Sequence, residues 1–187
     1  RLIALFRNTG VYNFQESSIN FDIDSISNTS SKNMRIKLQI KNLKKRGENV
    51  ITEYKVYKFD TISIYTDYFF GDDLSKMNRM EYENYIIYYK DKLKYKPRAL
   101  TNAIFLKKDS VYREINKSRT YRQISNLNTF KYPNITFDSV GNTLNTKIYL
   151  SPLKKYQLRI DPELTHSNIQ RIGTAFSTSL TTKNVLA

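Results

Sequence analysis

The sequence contains no cysteine. That excludes a disulfide framework and a thiolate metal site, and it leaves the redox compartment unreadable. Five glycines in 187 residues spell out no glycine-rich phosphate loop, so the nucleotide-binding motifs built on such loops are missing. No apolar run approaches the roughly 20 residues that a membrane helix needs. Arg1 falls inside a helical pattern with no signal-peptide core behind it, so the chain reads as a piece of a longer one. The single histidine, His166, has no cysteine or carboxylate pair at ligand spacing, which favours a structural role over a metal or nucleophilic one. Acidic residues are scarce too: 17 Asp and Glu face 31 Lys and Arg, a net charge of +14. A field of that sign attracts nucleic acid, anionic lipid head groups or acidic polypeptide.

What is present is a recurring unit. Residues 112–125 carry a helical pattern that stops at Asn126-Leu127-Asn128, and residues 131–137 and 144–150 then read as two strands. Asn128 stands where a helix end needs a left-handed residue, a place for Gly and, next, Asn. Leu144, Thr146, Ile148 and Leu150 alternate with Asn145, Lys147 and Tyr149, the pattern of a half-buried strand. The same succession occurs earlier. Residues 1–7 form a helix end closed by Gly10; residues 17–23 place Ile19, Phe21 and Ile23 on one face; after a Ser/Asn/Thr loop at 25–33, Met34, Ile36, Leu38 and Ile40 alternate inward. Phe6 through Phe14 lies over Ile124 through Tyr132 at an offset of 118, falling to 116 where Ile19-Asn20-Phe21 meets Ile135-Thr136-Phe137. An internal repeat fixes the domain arithmetic before other readings: the back part of one module, then a whole one.

Residues 41–53 are charged and contain glycine, as a linker does. Residues 54–66, rich in β-branched and aromatic side chains, predict the first strand of the second module. Residues 70–80 are polar and read as mobile, and residues 82–90 with 92–95 suggest a short extra hairpin around Asp91. Pro97 opens a helix to about residue 105, with Leu100, Ala103 and Ile104 on its apolar side. The order strand, helix, helix, strand, strand predicts an α+β module, a three-stranded mixed sheet covered on one face by two helices. Its middle strand is 144–150 and its edge is 131–137, where Pro133 fits because proline lacks the ladder donor. Residues 156–164 and 172–182 are two long alternating segments, compatible with tilted membrane strands of about 9–11 residues and equally with a soluble hairpin.

The chemistry-bearing pairs have plain alternatives. Asp72-Asp73 and Glu81 with Glu83 suggest a cation or acid–base site, yet solvated charge in a polar stretch explains them better. Tyrosines and lysines across 82–95 suggest a stacking platform for single-stranded nucleic acid, while surface tyrosines packed on a neighbouring module explain the same residues.

Several segments together carry a resemblance. They are Tyr95-Lys96-Pro97-Arg98-Ala99-Leu100, Asn102-Ala103-Ile104-Phe105-Leu106-Lys107, Thr120-Tyr121-Arg122 with Leu127, and the run from Phe130 to Phe137. The series continues through Ile148 to Tyr156, Glu163 to Asn168, and Thr182-Lys183-Asn184-Val185-Leu186. In this order they resemble the last POTRA (polypeptide-transport-associated) domain of the BamA/TamA family of outer-membrane barrel-assembly and translocation proteins, especially Bacteroidetes-type members. Asn128, where the family usually has Gly, and Asp109, where a Pro-Gly-Asp turn is reduced, depart from the pattern.

The resemblance implies residues 1–46 as the C-terminal part of one POTRA domain, 47–157 as a complete one and 158–187 as the first barrel strands. It implies a non-enzymatic protein without cofactors at the periplasmic face of the outer membrane. Its partners would be unfolded outer-membrane proteins and other subunits of an assembly or translocation complex. Clients would add as strands to Ser17, Ile19, Phe21 and Ile23, and less well to Lys131, Ile135 and Phe137, because Pro133 removes a donor there. A basic single-stranded nucleic-acid-binding α+β domain is the alternative, although no RNP-type aromatic motif is present and no nucleic acid is expected. A third reading makes the chain a spacer between barrel and partners. The open margins predict intermolecular strand pairing or disorder at both ends.

Overall fold

Strand β5, Lys58–Tyr65, is the axis of the main sheet. Phe59, Ile62 and Ile64 are buried in the core, and Tyr65, on the other face, is buried by the tyrosine rings stacked against it. The computed structural model describes residues 1–24, 35–44, 51–154, 156–165 and 173–182. The expectations for His166, the loop at 25–33, Met34 and residues 183–186 lie outside the described residues.

Around β5 the fold is α+β with a five-stranded mixed sheet. Strand β9, Thr143–Tyr149, runs parallel to β5, and β8, Asn134–Val140, runs antiparallel beside β9 at the margin. The expected middle and edge strands therefore stand in that order. The expected count of three does not, because β6, Asn78–Tyr82, and β7, Tyr85–Tyr89, form a hairpin that pairs with the other side of β5. The hairpin turns at Glu83-Asn84 and not around Asp91, and Glu83 takes a left-handed φ of 53°. The left-handed position of such a turn normally carries Gly or Asn; here it carries Glu83, and Asn84 follows it, so the usual signal is missing at the position that needs it. Residues 70–80, read as mobile, hold the start of β6 and a helical turn, Leu74–Lys76, capped by the Asp73 carboxylate, which accepts from the Ser75 N–H at 3.1 Å. The 41–53 stretch likewise contains a small ladder, β3 Leu43–Lys44 against β4 Ile51–Thr52.

Two helices cover one face of the sheet. Helix α2, Pro97–Asn102, starts on proline at its first turn and ends sooner than its apolar pattern suggested. Residues 103–106 peel away because Ala103, Ile104 and Leu106 are buried along the core while the Phe105 N–H bonds Thr120 Oγ1 at 2.9 Å. Helix α3, Glu114–Asn126, presents Thr120 and Ile124 inward. Buried Thr120 is fully satisfied, since its hydroxyl also donates to the Asn116 carbonyl at 2.8 Å. Each large apolar side chain buried here contributes roughly 1.5–3 kcal/mol against the entropy of ordering.

The repeated unit is visible as geometry. Helix α1, Leu2–Asn8, and α3 both end on Asn; the third chain positions are Gly10 at φ 110° and Asn128 at φ 51°. A hairpin follows each. Strand β1, Ile19–Asp24, pairs with β2, Arg35–Ile40, with Ile19 opposite Ile40 and Phe21 opposite Leu38; β8 pairs with β9 with Ile135 opposite Ile148 and Phe137 opposite Thr146. Helices cover that face in the second unit. In the first it is bare, with Phe21 60% and Ile36 63% exposed. Finally β10, Tyr156–Thr165, pairs in register along its whole length with β11, Gly173–Thr182.

The first unit is bolted to the second near Gly10. Its carbonyl accepts from the Tyr57 N–H at 3.0 Å, and the Asn8 side chain accepts from the Ile115 N–H at 2.9 Å, capping α3 from a distance. Tyr12 places its ring edge-on against Tyr57, Tyr112 and Phe137, 4.9 to 6.3 Å between centroids.

A Cβ on Gly10 would lie 2.6 Å from Val56 Cγ1 and 2.9 Å from Val111 Cγ1, on a backbone that L-residues rarely adopt. Gly10→Ala is expected to cost about 2 kcal/mol or more in urea denaturation, from overpacking and left-handed strain together. Adding Val56→Ala should restore only the overpacking part. Glu83→Gly should act the other way and stabilise by about 0.5 kcal/mol, because relief of left-handed strain exceeds the entropy cost of glycine; an unchanged or lower midpoint would contradict the strained turn.

Candidate strand-docking site

The nine residues singled out by sequence do not form one site. Gly10 and Asn128 are the left-handed helix stops. Ser17 belongs to a helical turn, Glu16–Ser18, so β1 begins two residues later and Ser17 is no part of its edge. Its neighbour Ser18 is buried and lies 2.5 Å from the Tyr54 hydroxyl, which pulls the chain into a turn. Ile19, Phe21 and Ile23 share one face of the β1–β2 hairpin with Ile40, Leu38 and Ile36. Among the described residues no further strand pairs with either margin of this hairpin.

Lys131 lies outside β8. Its N–H donates to the Ser151 carbonyl at 2.7 Å, and the neighbouring Phe130 bridges Pro152, so the backbone there is already used. Pro133 is buried ahead of the strand. It therefore deletes no donor from β8, and the reason for preferring the first edge disappears. Ile135 and Phe137 point toward the helices and pack on the core. Phe137 meets Tyr112 edge-on at 5.5 Å and carries the Lys117 ammonium 5.6 Å above its ring. What β8 offers outward is thus backbone and not these side chains.

Beside that margin runs a groove of about 380 Å³ between α3 and β8, lined by Glu114, Lys117, Tyr121, Arg122, Pro133 and Ile135 among others. The helical positions recur every three or four residues, which brings them onto one stripe. Sequence spacing alone marks that stripe, but only the fold shows that it borders an open strand. The opposite margin of the sheet is less inviting. Strand β6 has five residues, and the exposed Arg79 and Glu81 pair with each other there at 2.5 Å; charged side chains of this kind blunt an edge.

The uncovered face of the sheet bears a row of tyrosines. Tyr88, Tyr65 and Tyr149 stack across β7, β5 and β9 at 4.6 and 5.0 Å, and Tyr68 extends the row at 4.6 Å. Ring faces are spent on one another, and Tyr65 is only 7% exposed, whereas stacked bases need open faces. Burial, then its tyrosine neighbours, pushes the Tyr65 hydroxyl up. Tyr82, Tyr85 and Tyr95 turn to the core of their own sheet rather than to a neighbouring module; the Tyr85 hydroxyl donates to the Leu106 carbonyl at 2.9 Å. Burial and the Asp67 carboxylate raise the Tyr95 hydroxyl to about 12.

The acidic pairs serve structure. Asp72 accepts from Lys90 at 2.8 Å and from the Phe69 N–H at 2.7 Å. Asp73 accepts from the Ser75 hydroxyl and N–H, and Glu83 forms the hairpin turn. Asp67, 2% exposed, is met by Lys94 at 3.2 Å. Comparison with protein-family models and with curated proteins finds nothing that matches this chain.

The hydrogen bond from Lys90 and then that from the Phe69 N–H hold the Asp72 carboxyl below its usual range; Ser75 does the same for Asp73. A depressed folded-state value means that the contribution is complete above the unfolded value, about 3.9, and is lost as pH falls through the folded one. In an NMR titration the Phe69 and Ser75 amides are expected to shift with midpoints below 3.9, as roughly fixed by that reference. Midpoints at or above it would contradict these contacts.

Proposed function

We propose that this chain receives extended polypeptide segments as added strands on the open margin of β8. We further infer that it does so as the region preceding the barrel of an outer-membrane assembly or translocation protein. The observation that carries the first statement is a seven-residue marginal strand beside a groove, with its core-facing side chains already engaged. Unpaired N–H and C=O groups on such a margin bind any extended chain, whatever its sequence. The β1–β2 hairpin, unpaired at its margins among the described residues but with its apolar face bare, is the second candidate margin.

The second statement is supported by the series of segments that resembles POTRA domains, by the repeated helix-stop-hairpin unit and by β10–β11. Ten residues at about 3.3 Å each span a membrane's apolar layer when tilted. Leu158, Ile160, Pro162 and Leu164 share one face with Phe176 and Leu180, while Arg159, Asp161 and Glu163 share the other with Ser177 and Ser179. That is the apolar-out, polar-in alternation of a membrane barrel. On this reading residues 1–46 and 47–157 are successive POTRA domains and residues 158–187 open the barrel. The clients are unfolded outer-membrane proteins and the site is periplasmic.

The test uses a labelled peptide from one strand of an unfolded outer-membrane barrel and two versions with alternate backbone amides N-methylated in opposite phase. Strand addition requires one phase to bind at least about tenfold more weakly and the other to bind as the parent does, since each strand side carries alternate amides. Slowed amide exchange within Asn134–Val140 should accompany binding. Equal affinity for all three peptides would remove edge docking.

A further inference from the structure

We propose that the groove beside β8 selects extended segments carrying acidic side chains at alternate positions, an inference that rests on the edge-docking reading above. A strand added to β8 turns every second side chain toward the helices. There it meets Lys117, Tyr121 and Arg122. The intervening side chains turn to the other face of the sheet, where Asp138 is already neutralised by Lys147 at 2.7 Å.

The distribution of charge sharpens this. The acids of the sheet and its loops are largely spent on lysine and arginine beside them: Asp67 on Lys94, Asp72 on Lys90, Asp138 on Lys147. The helical segment from residue 96 to residue 131 has nine Lys and Arg against two Asp and Glu. Among the described residues Arg113, Arg119 and Arg122 form no ion pair. Glu114, the one acid of the groove, accepts the Tyr112 hydroxyl. A second hollow of about 310 Å³ shares Arg122 and adds Arg119, which continues the cationic surface around α3. Charge complementarity on this scale chooses among partners that backbone bonding alone would treat alike.

The experiment compares two extended peptides that share threonine on one strand face and carry either glutamate or lysine on the other, titrated by fluorescence anisotropy against the whole chain. The glutamate peptide is expected to bind at least tenfold tighter at low salt, with the ratio shrinking as salt rises. Lys117→Glu with Arg122→Glu should reverse the order. Should that double variant fold poorly by circular dichroism, Lys117→Gln with Arg122→Gln should collapse the ratio instead. Equal binding of both peptides, each still sensitive to the phase of N-methylation, would overturn acidic selection and leave edge docking standing. A glutamate preference blind to N-methylation would overturn both, as would binding of neither peptide.

Discussion

The carbonyl of Gly10 accepts hydrogen bonds from Tyr12 and from Tyr57, and that double acceptance joins the two halves of the molecule. Only a residue without a Cβ fits, because Val56 and Val111 close over the site and the backbone is left-handed. Once the chain has turned there, Tyr12 enters the aromatic cluster of Tyr57, Tyr112 and Phe137, and Asn8 reaches the start of α3. Both walls of the groove are therefore held from the first unit: α3 by its remote cap, and β8 through the ring on which Phe137 leans. A disturbance at Gly10 reaches the candidate site without touching it, and does so through contacts that can be followed one by one.

Two hairpins of matching register differ in what covers them, and the difference decides what each can do. In β8–β9 the inward face is buried by helices, so Ile135 and Phe137 have fixed positions, and among the described residues only the margin lacks a partner strand. In β1–β2 the corresponding face is bare and both margins are open among the described residues. The first arrangement is suited to reversible recognition, since the docking geometry is preformed and little entropy remains to be lost. A face with five exposed apolar side chains attracts cover of any kind and discriminates less.

Much of this was legible in the residues themselves. The stops at Gly10 and Asn128, the alternation of Leu144, Thr146 and Ile148, and the place of that strand between β5 and β8 all follow from local chemistry plus the rules of crossover connection. The β6–β7 hairpin was not legible, because a glutamate occupies the left-handed position that normally advertises such a turn. Lys131 was misplaced because Phe130 and Lys131 look like strand residues, while tertiary bonds to Pro152 and Ser151 take them out of the ladder. The groove could not be read at all. Its helical stripe is a sequence pattern, but its other wall comes from a strand that joins it only through the fold.

A margin of seven residues that is open among the described residues is a hazard as well as the binding site proposed above, since a second copy offers the same unpaired groups. Shortening, bulges and proline are the usual protections, and β8 uses none of them: its proline lies before the strand. The cations along α3 take their place. Two copies approaching margin to margin would bring Lys117 and Arg122 of one toward those of the other, a repulsion that salt screens. Like charges there oppose self-pairing, while an acidic client meets attraction along the same path. On this reading one set of side chains both admits the partner and keeps the margin free for it, and high salt should weaken the two effects together.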